Sequence, residues 1–299
     1  MPDVSVIVVS YEGRELLGRC LAALDADEAG PLDRELIVVD QASRDGTAAW
    51  LAAERPDVKL VALAQNVGFG PGNNRGAAVA RGDWLVLLNS DCFVDPGAID
   101  ELVRFAGQLP EPGIVGPRLR WPDGSLQRSC RRFPTPARIA TEYLFLRKLA
   151  PGSRLLNGFY CGEFAHDEAR RVDWLTGACL LLRRDLYERL GGFDESFFLY
   201  SEEVDLCRRA LDLGRETWFD PAAGATHVWG GTAKRDPGPA LRENVRSQLR
   251  YLDKHEGRAA AKAARGVMLA GLLARAPRSA TYRATAAWLA RSSVRRLLR

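Results

Sequence analysis

Two groups of polar residues in this chain have the types and spacing for metal-assisted acid–base chemistry. The first is Asn89-Ser90-Asp91, at the end of the apolar run Trp84-Leu85-Val86-Leu87-Leu88. A short apolar run bounded by Gly82-Asp83 and by Asn-Ser-Asp has the pattern of a central strand in an α/β sheet. Ligands of open α/β sheets collect where such strands end. If the chain stays extended, Asn89 and Asp91 point to the same side. An Asp so placed suits Mg²⁺ or Mn²⁺, which take one or two carboxylates and complete their shell with phosphate oxygens. A plain turn is the competing reading, because Asn, Ser and Asp all form turns.

The second group is Glu202, Glu203 and Asp205, three carboxylates within four residues at the start of a predicted helix. Acidic residues favour helix N-termini through the dipole alone. This cluster, however, follows the aromatic run Phe193–Tyr200, and a partly buried carboxylate beside an acceptor hydroxyl is what a general base requires. Glu203 is the candidate base, and Asp205 has a supporting role. His227, one of three histidines, ends a predicted strand ahead of Gly230-Gly231, where imidazole can complete a metal shell begun by Asp91.

The elements that must position these groups follow from periodicity. Val4–Val9, Leu36–Val39 and Val58–Leu63 read as buried strands, with helices between them over Leu16–Leu24 and after Thr47. Strand–helix–strand alternation implies a parallel sheet with right-handed crossovers. Asn66–Gly76 is a glycine-rich loop fit for close approach to a ligand, with a helix from Ala77 to Ala80. It matches neither GxGxxG nor a P-loop. Pro110–Pro117 is a Pro/Gly connection. Residues 125–172 read as irregular, with one helix near Ile139–Leu149. Val172–Arg183 is a strand with Gly177 near its start. A helix spans Glu202–Leu213, strands follow at Thr217–Phe219 and Ala225–Trp229, and a helix runs from Leu241 to His255.

The chain has 299 residues, 46% hydrophobic and 27% charged, enough for a large core. Lys and Arg number 42 and Asp and Glu 38, a net charge of +4. The excess is concentrated in 257–299, which carries no acidic residue and reads as two basic helices broken near Pro277. Six cysteines without a CxxC pair are expected to be reduced, buried thiols. Met1-Pro2-Asp3 runs directly into a strand, so no signal peptide is expected, and no apolar run approaches the length of a membrane span.

In order, Val6–Tyr11, Ile37–Thr47, Asn66–Gly70 with Asn74, Leu87–Asp91 and Gly191–Arg209 resemble the motifs of the family 2 glycosyltransferases, in the branch containing rhamnosyltransferases of bacterial polysaccharide synthesis. The resemblance covers roughly residues 3–255. It implies a GT-A fold: a Rossmann-like nucleotide-binding half and an acceptor half in one mixed sheet, here with C-terminal helices. It places Ser10, Tyr11 and Glu12 near the base of a nucleotide-sugar, Asp40 on the pyrimidine, and Asn66, Gly68, Asn74 and Asn89 around the donor. Asp91 becomes the last position of a DxD-type motif holding Mn²⁺ or Mg²⁺, with His227 as a second ligand. Gly177 and Ala178, with Trp174 and Asp205, fall on the acceptor side. Two positions depart from the family pattern. Asn89 replaces the first acid of the DxD motif, and Glu202-Glu203 stands where a Glu-Asp pair is usual, so Glu203 is kept as the base, with Glu202 serving if the register differs by one.

The resemblance implies an inverting, non-processive enzyme that moves a sugar, with dTDP-rhamnose the first choice of donor and UDP-sugars next, onto a glycan or lipid-linked acceptor. One base opposite a metal-held leaving group suits inversion. The alternative is a catalytically degenerate nucleotide-sugar-binding or scaffold protein of the same fold. A nucleotidyltransferase is disfavoured because Ser10–Arg14 is a poor phosphate loop. Residues 1–256 are expected to form the catalytic domain and 257–299 a basic extension. The location expected is cytoplasmic, with the extension resting on anionic lipid through Trp288, Leu289, Val294, Leu297 and Leu298. No nucleic-acid partner is expected.

Overall fold

The computed structural model describes residues 1–27, 30–228 and 237–298. The first third alternates as the apolar runs require. β1 (Val4–Ser10), α1 (Arg14–Asp27), β2 (Arg34–Asp40), α2 (Thr47–Glu54), β3 (Lys59–Ala62), α3 (Phe69–Ala77) and β4 (Trp84–Asn89) follow one another. β1 lies between β2 and β4, parallel to both. All seven of its residues are buried, as expected of a strand covered on both faces.

The second part adds β5 (Cys92–Val94), α4 (Ala98–Gly107), β6 (Pro112–Arg120), β7 (Leu126–Gln127), β8 (Cys130–Arg131) and α5 (Pro136–Tyr143). It continues with β9 (Arg170–Val172), β10 (Trp174–Leu175), β11 (Cys179–Arg183), α6 (Arg184–Arg189), α7 (Glu202–Asp212) and β12 (Glu216–His227). The sheet order is β3-β2-β1-β4-β11-β6-β12-β5. β11 runs antiparallel to β4 and β6, so the parallel half and the second half share one mixed sheet. β8 and β10 form a separate two-stranded ribbon. Alternate residues of β1 enter different cores: Val4, Val6 and Val8 pack with α1 and α4, while Ile7 and Val9 pack with α7 and the C-terminal helices. All six cysteines are buried and free.

Several elements differ from the sequence expectation. The stretch read as a glycine loop is already helical from Phe69. Its glycines lie where the helix meets its neighbours. A Cβ at Gly72 would sit 3.0 Å from Val9 Cγ1, and one at Gly76 only 2.4 Å from Ile7 Cγ2. Packing overrides a poor intrinsic helix propensity. Pro112–Arg120, read as a connection, is a nearly buried strand between β11 and β12. The two strands expected near 217 and 225 are one, β12, with a register shift between Asp220 and Gly224. The helix expected near 139–149 is Pro136–Tyr143, started by the Thr135 hydroxyl accepting from the Arg138 amide and by Pro at its first position. Trp229, Gly230 and Gly231 lie outside the described residues.

The C-terminal helices are α8 (Pro237–His255), α9 (Arg258–Arg275), α10 (Ala280–Arg291) and α11 (Val294–Leu297). The lipid-facing reading of this tail needs correction. Leu289, Val294 and Leu297 are buried in the same core as β1 and α7. Arg265 turns inward to donate to the carbonyls of Leu289 and Ser292 at 2.7 and 2.9 Å. Among the described residues no helix is long and apolar enough to cross a membrane.

Two glycines in helices should respond oppositely to Ala. Gly76→Ala should lose about 1–3 kcal/mol of stability, because the β-branched Ile7 cannot yield cheaply. Gly266→Ala, with nothing within 4 Å of its Cβ, should gain about 0.5–1 kcal/mol in α9. Urea midpoints of the two variants test both signs.

Candidate functional site

The C-terminal ends of β1, β2 and β4 converge, and each delivers a polar group. Ser10 and Asp40 are register partners, 1% and 2% exposed. Ser10 Oγ and Asp40 Oδ1 are buried with no hydrogen-bond partner among the described residues. The other Asp40 oxygen accepts from the Ser43 amide at 3.3 Å. Orphaned acceptors at strand ends are costly unless something else uses them. Beside them, Glu12 takes a positive φ of 51°. Its amide donates to Ser43 Oγ at 2.9 Å and its carboxylate accepts from the Arg44 amide at 3.1 Å. These bonds tie the Ser10-Tyr11-Glu12 turn to the turn after β2.

Gln41 was not singled out from the sequence, although it follows Asp40 directly. Its buried Oε1 accepts from the amides of Val67 and Gly68 at 3.0 and 3.1 Å. Asn66 Oδ1 accepts from the Gly68 amide at 2.9 Å. Gly68 has φ of 98°, and a Cβ there would fall 2.2 Å from the Phe198 carbonyl oxygen. Only glycine fits this approach. It lets the Phe69 amide donate to that same carbonyl at 3.0 Å, joining α3 to the loop before α7. Asn74 has both ends of its side-chain amide in hydrogen bonds. Its amide donates to Phe193 O and Glu195, and its oxygen accepts from Tyr187 Oη at 2.6 Å and the Phe193 amide at 2.9 Å. Its role is to brace the turn after Gly192.

At the end of β4, Asp91 and His227 come together although 136 positions separate them. β12 pairs with β5 so that His227 lies opposite Cys92, and the Val228 amide donates to Asp91 O at 3.0 Å. His227 Nε2 is then 3.2 Å from Asp91 Oδ1 and 3.4 Å from Asn89 Nδ2. Gln127, missed by the sequence reading, decides the ring's orientation. Its Nε2 donates to the His227 carbonyl at 3.4 Å, which turns its Oε1 toward His227 Nδ1 at 2.8 Å. Nδ1 therefore donates to Gln127, and Nε2 is the ring nitrogen that faces the Asp91 carboxylate and is free to serve as a metal donor. Two electron-rich atoms 3.2 Å apart fit adjacent donors of an octahedral shell, which with bonds of about 2.0–2.1 Å stand about 3 Å from one another. Among the described residues no group of three or more His, Cys, Asp and Glu could hold a metal. The site therefore suits a cation that takes most of its ligands from substrate and water.

The carboxylate pair opens α7. Tyr200 and Ser201 both adopt left-handed backbone, with φ of 68° and 65°, immediately before it. Two such non-glycine residues in succession cost energy and sharply redirect the chain. The turn sends Glu202 and Glu203 to different neighbours. Glu202 is buried beside Gly70 of α3, and its Oε2 has no partner among the described residues. Glu203 packs against Gly177, where a Cβ would lie 3.3 Å from Glu203 Cβ, and accepts from the Gly177 amide. Burial pushes both carboxyls up, Glu203 to about 7 and Glu202 well above its ordinary range, where the Glu203 charge adds to the effect of burial. Both carboxyls therefore bind a proton more readily than an exposed glutamate does.

Around Glu203, Ala178 is fully buried and its carbonyl accepts from the Asn89 amide at 2.9 Å, linking the two polar groups through β4 and β11. Trp174 is packed inward, with Nε1 donating to Arg132 O at 2.9 Å. Asp205 faces away from Gly177. It is fully buried and takes Arg209, Lys254 and His255, each at 2.7 Å, which pins α8 to α7.

The sequence and fold were compared with known proteins. A family profile described as Glycosyl transferase family 2 matches residues 5–191. An N-acetylglucosaminyl-diphospho-decaprenol L-rhamnosyltransferase of Mycobacterium tuberculosis is 33% identical over 273 residues, covering 86% of this chain and 87% of that protein. An O-antigen biosynthesis protein of Myxococcus xanthus is 36% identical over 212 residues, 69% of this chain and 16% of that much longer protein. Among solved structures, a mannosyltransferase from Pyrobaculum calidifontis in complex with GDP-Man and Mn²⁺ aligns with a TM-score of 0.60 at 20% identity, over 99% of this chain and 85% of the other. Staphylococcus aureus TarS in complex with UDP-GlcNAc aligns with a TM-score of 0.55 at 15% identity, over 93% of this chain and 74% of the other.

The buried Glu203 has a consequence for stability. A carboxyl whose folded pKa is raised is stabilising while protonated, and that stability is lost as pH rises from its ordinary range through about 7. Glu203→Gln should therefore match wild type near pH 5 and exceed it by about 1–3 kcal/mol at pH 8. Thermal unfolding at both pH values measures the difference, and a pH-independent difference would contradict the assignment.

Proposed function

This chain belongs to the glycosyl transferase family 2 and carries the GT-A fold, and from that premise we propose an inverting rhamnosyltransferase. The donor is dTDP-rhamnose, and the acceptor is a hydroxyl of a lipid-diphosphate-linked sugar in cell-envelope polysaccharide synthesis. The observation that carries this reading is the convergence around one strand end. Orphaned acceptors on Ser10 and Asp40, the Asp91–His227 pair and the poised Glu203 surround the ends of β1, β2, β4 and the start of β11. The nature of donor and acceptor is supported by the Mycobacterium tuberculosis relative, which is named for moving L-rhamnose onto such a lipid.

Within this reading, Asp40 Oδ1 accepts the imide N–H of thymine or uracil, and Ser10 lies beside it. Gln41 and Asn66 hold the Val67–Gly68 turn close to the nucleotide-sugar. Asp91 and His227 would hold Mn²⁺ or Mg²⁺, with Asn89 beside them and Gln127 fixing the imidazole. Bound there, the cation neutralises the diphosphate leaving group as a Lewis acid. Glu203 takes the proton of the acceptor hydroxyl as that oxygen attacks the anomeric carbon from the face opposite the diphosphate. Its longer side chain, compared with the Asp usual at this position, is accommodated because Gly177 has no side chain.

Nucleoside diphosphate release should be followed with dTDP-, UDP- and GDP-sugars, with Mn²⁺, Mg²⁺ or EDTA. Release from dTDP-rhamnose should need metal and vanish in Asp91→Ala. Glu203→Gln should bind dTDP as wild type does, yet lose transfer by about 10²–10⁴-fold. Nucleotide binding without any transfer, unchanged by Glu203→Gln, would instead favour a scaffold with a degenerate site. Gln127→Ala should weaken Mn²⁺ binding to the dTDP-loaded protein by about 10–100-fold in a calorimetric titration, as loss of a group that orients a metal-binding His does.

A further inference from the structure

One cation close to Glu203, Arg131, forms no ion pair within 4.0 Å among the described residues, and the carboxylate acting on it, that of Glu142, is already held by Arg147. Arg131 sits on β8 opposite Trp174 of β10, and the ribbon runs on through the Thr176 amide, which donates to Ser129 O at 3.1 Å, to Gly177. The Arg131 guanidinium is thus carried on the same short ribbon as the glycine against which Glu203 packs, and its charge bears on Glu203. It stacks over Tyr160 at 4.4 Å, and its Nη1 donates to the carbonyls of Arg128 and Cys130.

Two neighbouring cations are held by carboxylates, while Arg128 and Arg275 donate to backbone carbonyls. Arg147, over the other part of the same ring system at 5.0 Å, is held by Glu142 at 2.7 Å, and Arg132 by Glu163 at 2.7 Å. Arg131 is half-buried and, among the described residues, has no carboxylate within 4.0 Å. A half-buried cation without a counter-ion costs energy unless an anion arrives to use it. A guanidinium stacked on an aromatic ring keeps its outer edge free for a bidentate grip on phosphate.

What adjoins it narrows the anion. Past Tyr160 opens a cleft of about 180 Å³ among α5, α8, α9 and α10, walled by Phe159, Tyr160, Leu241, Leu272 and Tyr282. The cleft also carries Arg138, Glu142 and Arg275, so one side is charged and the other aromatic and aliphatic, and an anionic head beside that second side fits a lipid diphosphate better than a free sugar. α8 connects the corridor to the site: Asn244 and Gln248 line the cleft, while Glu243, on the next face, lies near Glu202.

We propose that Arg131, stacked on Tyr160, is the acceptor's phosphate anchor: it grips the diphosphate of an isoprenoid-diphosphate-linked sugar, so that the sugar hydroxyl reaches Glu203 while the isoprenoid leaves along the cleft. This rests on the lipid-linked-acceptor reading above and adds the residue that enforces it.

The test is calorimetric titration of the full chain with farnesyl diphosphate, with dTDP and Mn²⁺ saturating so that the donor's own phosphate position is filled. Wild type should bind farnesyl diphosphate more tightly than farnesol or inorganic pyrophosphate. Arg131→Gln should raise its Kd by about tenfold or more while leaving that of dTDP unchanged. Tyr160→Leu, which removes the stacking platform, should weaken farnesyl diphosphate in the same direction and serves if Arg131→Gln fails to fold. Equal affinity in wild type and variants, pyrophosphate binding as tightly as the lipid, or binding abolished by dTDP would each overturn the inference. A wild type that binds dTDP and ignores farnesyl diphosphate overturns this inference alone. A wild type that binds neither dTDP nor UDP overturns the donor reading, and the inference falls with it.

Discussion

The register of β12 against β5 is the constraint on which the site depends. His227 stands opposite Cys92, and only in that register does its ring reach Asp91 at 3.2 Å. A slip of one residue would turn His227 to the other face of the sheet and bring Thr226 to its place. The register is secured from both ends: β12 is tied to β6 along Glu216–Thr226, and Gln127 of the β6–β7 hairpin holds the His227 ring and carbonyl together. The bulge after Asp220 absorbs the mismatch between the two halves of β12.

The carboxylate pair depends on a different device. Consecutive left-handed residues at Tyr200 and Ser201 turn the chain so that adjacent glutamates face opposite sides. Such strain persists only where the surroundings hold it. Here Phe198 O is bonded by the Phe69 amide, and Leu199 O accepts from Ser247 Oγ at 2.8 Å. The loop is clamped between α3, which borders the donor side, and α8, which belongs to the C-terminal helices. Asp205 completes the clamp by accepting from three side chains, two of them from α8. The C-terminal helices thereby belong to the support of the carboxylate pair, and their buried Leu289, Val294 and Leu297 pack into the same core.

Both polar centres oppose the folded state. Ser10 and Asp40 bury unsatisfied oxygens, and Glu202 and Glu203 confine two carboxyls that cannot both ionise. A protein only marginally stable tolerates such groups where the chemistry needs them and the surrounding core is large. The six buried thiols and the alternating faces of β1 supply that core.

Much of this was legible in the residues themselves. Continuous β-branched runs specify buried parallel strands whatever else the chain does, and a polar triplet closing one of them marks a ligand-facing end. Asp91 and His227 could be named on that ground, Glu203 from an acidic cluster that opens a helix after an aromatic run, and Asp40 from the order of motifs. The sequence could not show which residues would meet, because strand register and loop closure are set by contacts between positions far apart in the chain. Gln127 lies in a stretch without periodicity, and its role exists only through a partner 100 residues away. Asn74, expected around the donor, serves the folded chain as a brace, and Asp205, expected in a supporting role, is another, since their hydrogen-bonding groups are taken by Phe193, Tyr187, Arg209 and His255. Local pattern determined the strands and the chemistry at their ends. Tertiary packing alone decided that glycine-rich α3 is a helix, that the basic tail is core, and which carboxylate of the pair faces Gly177.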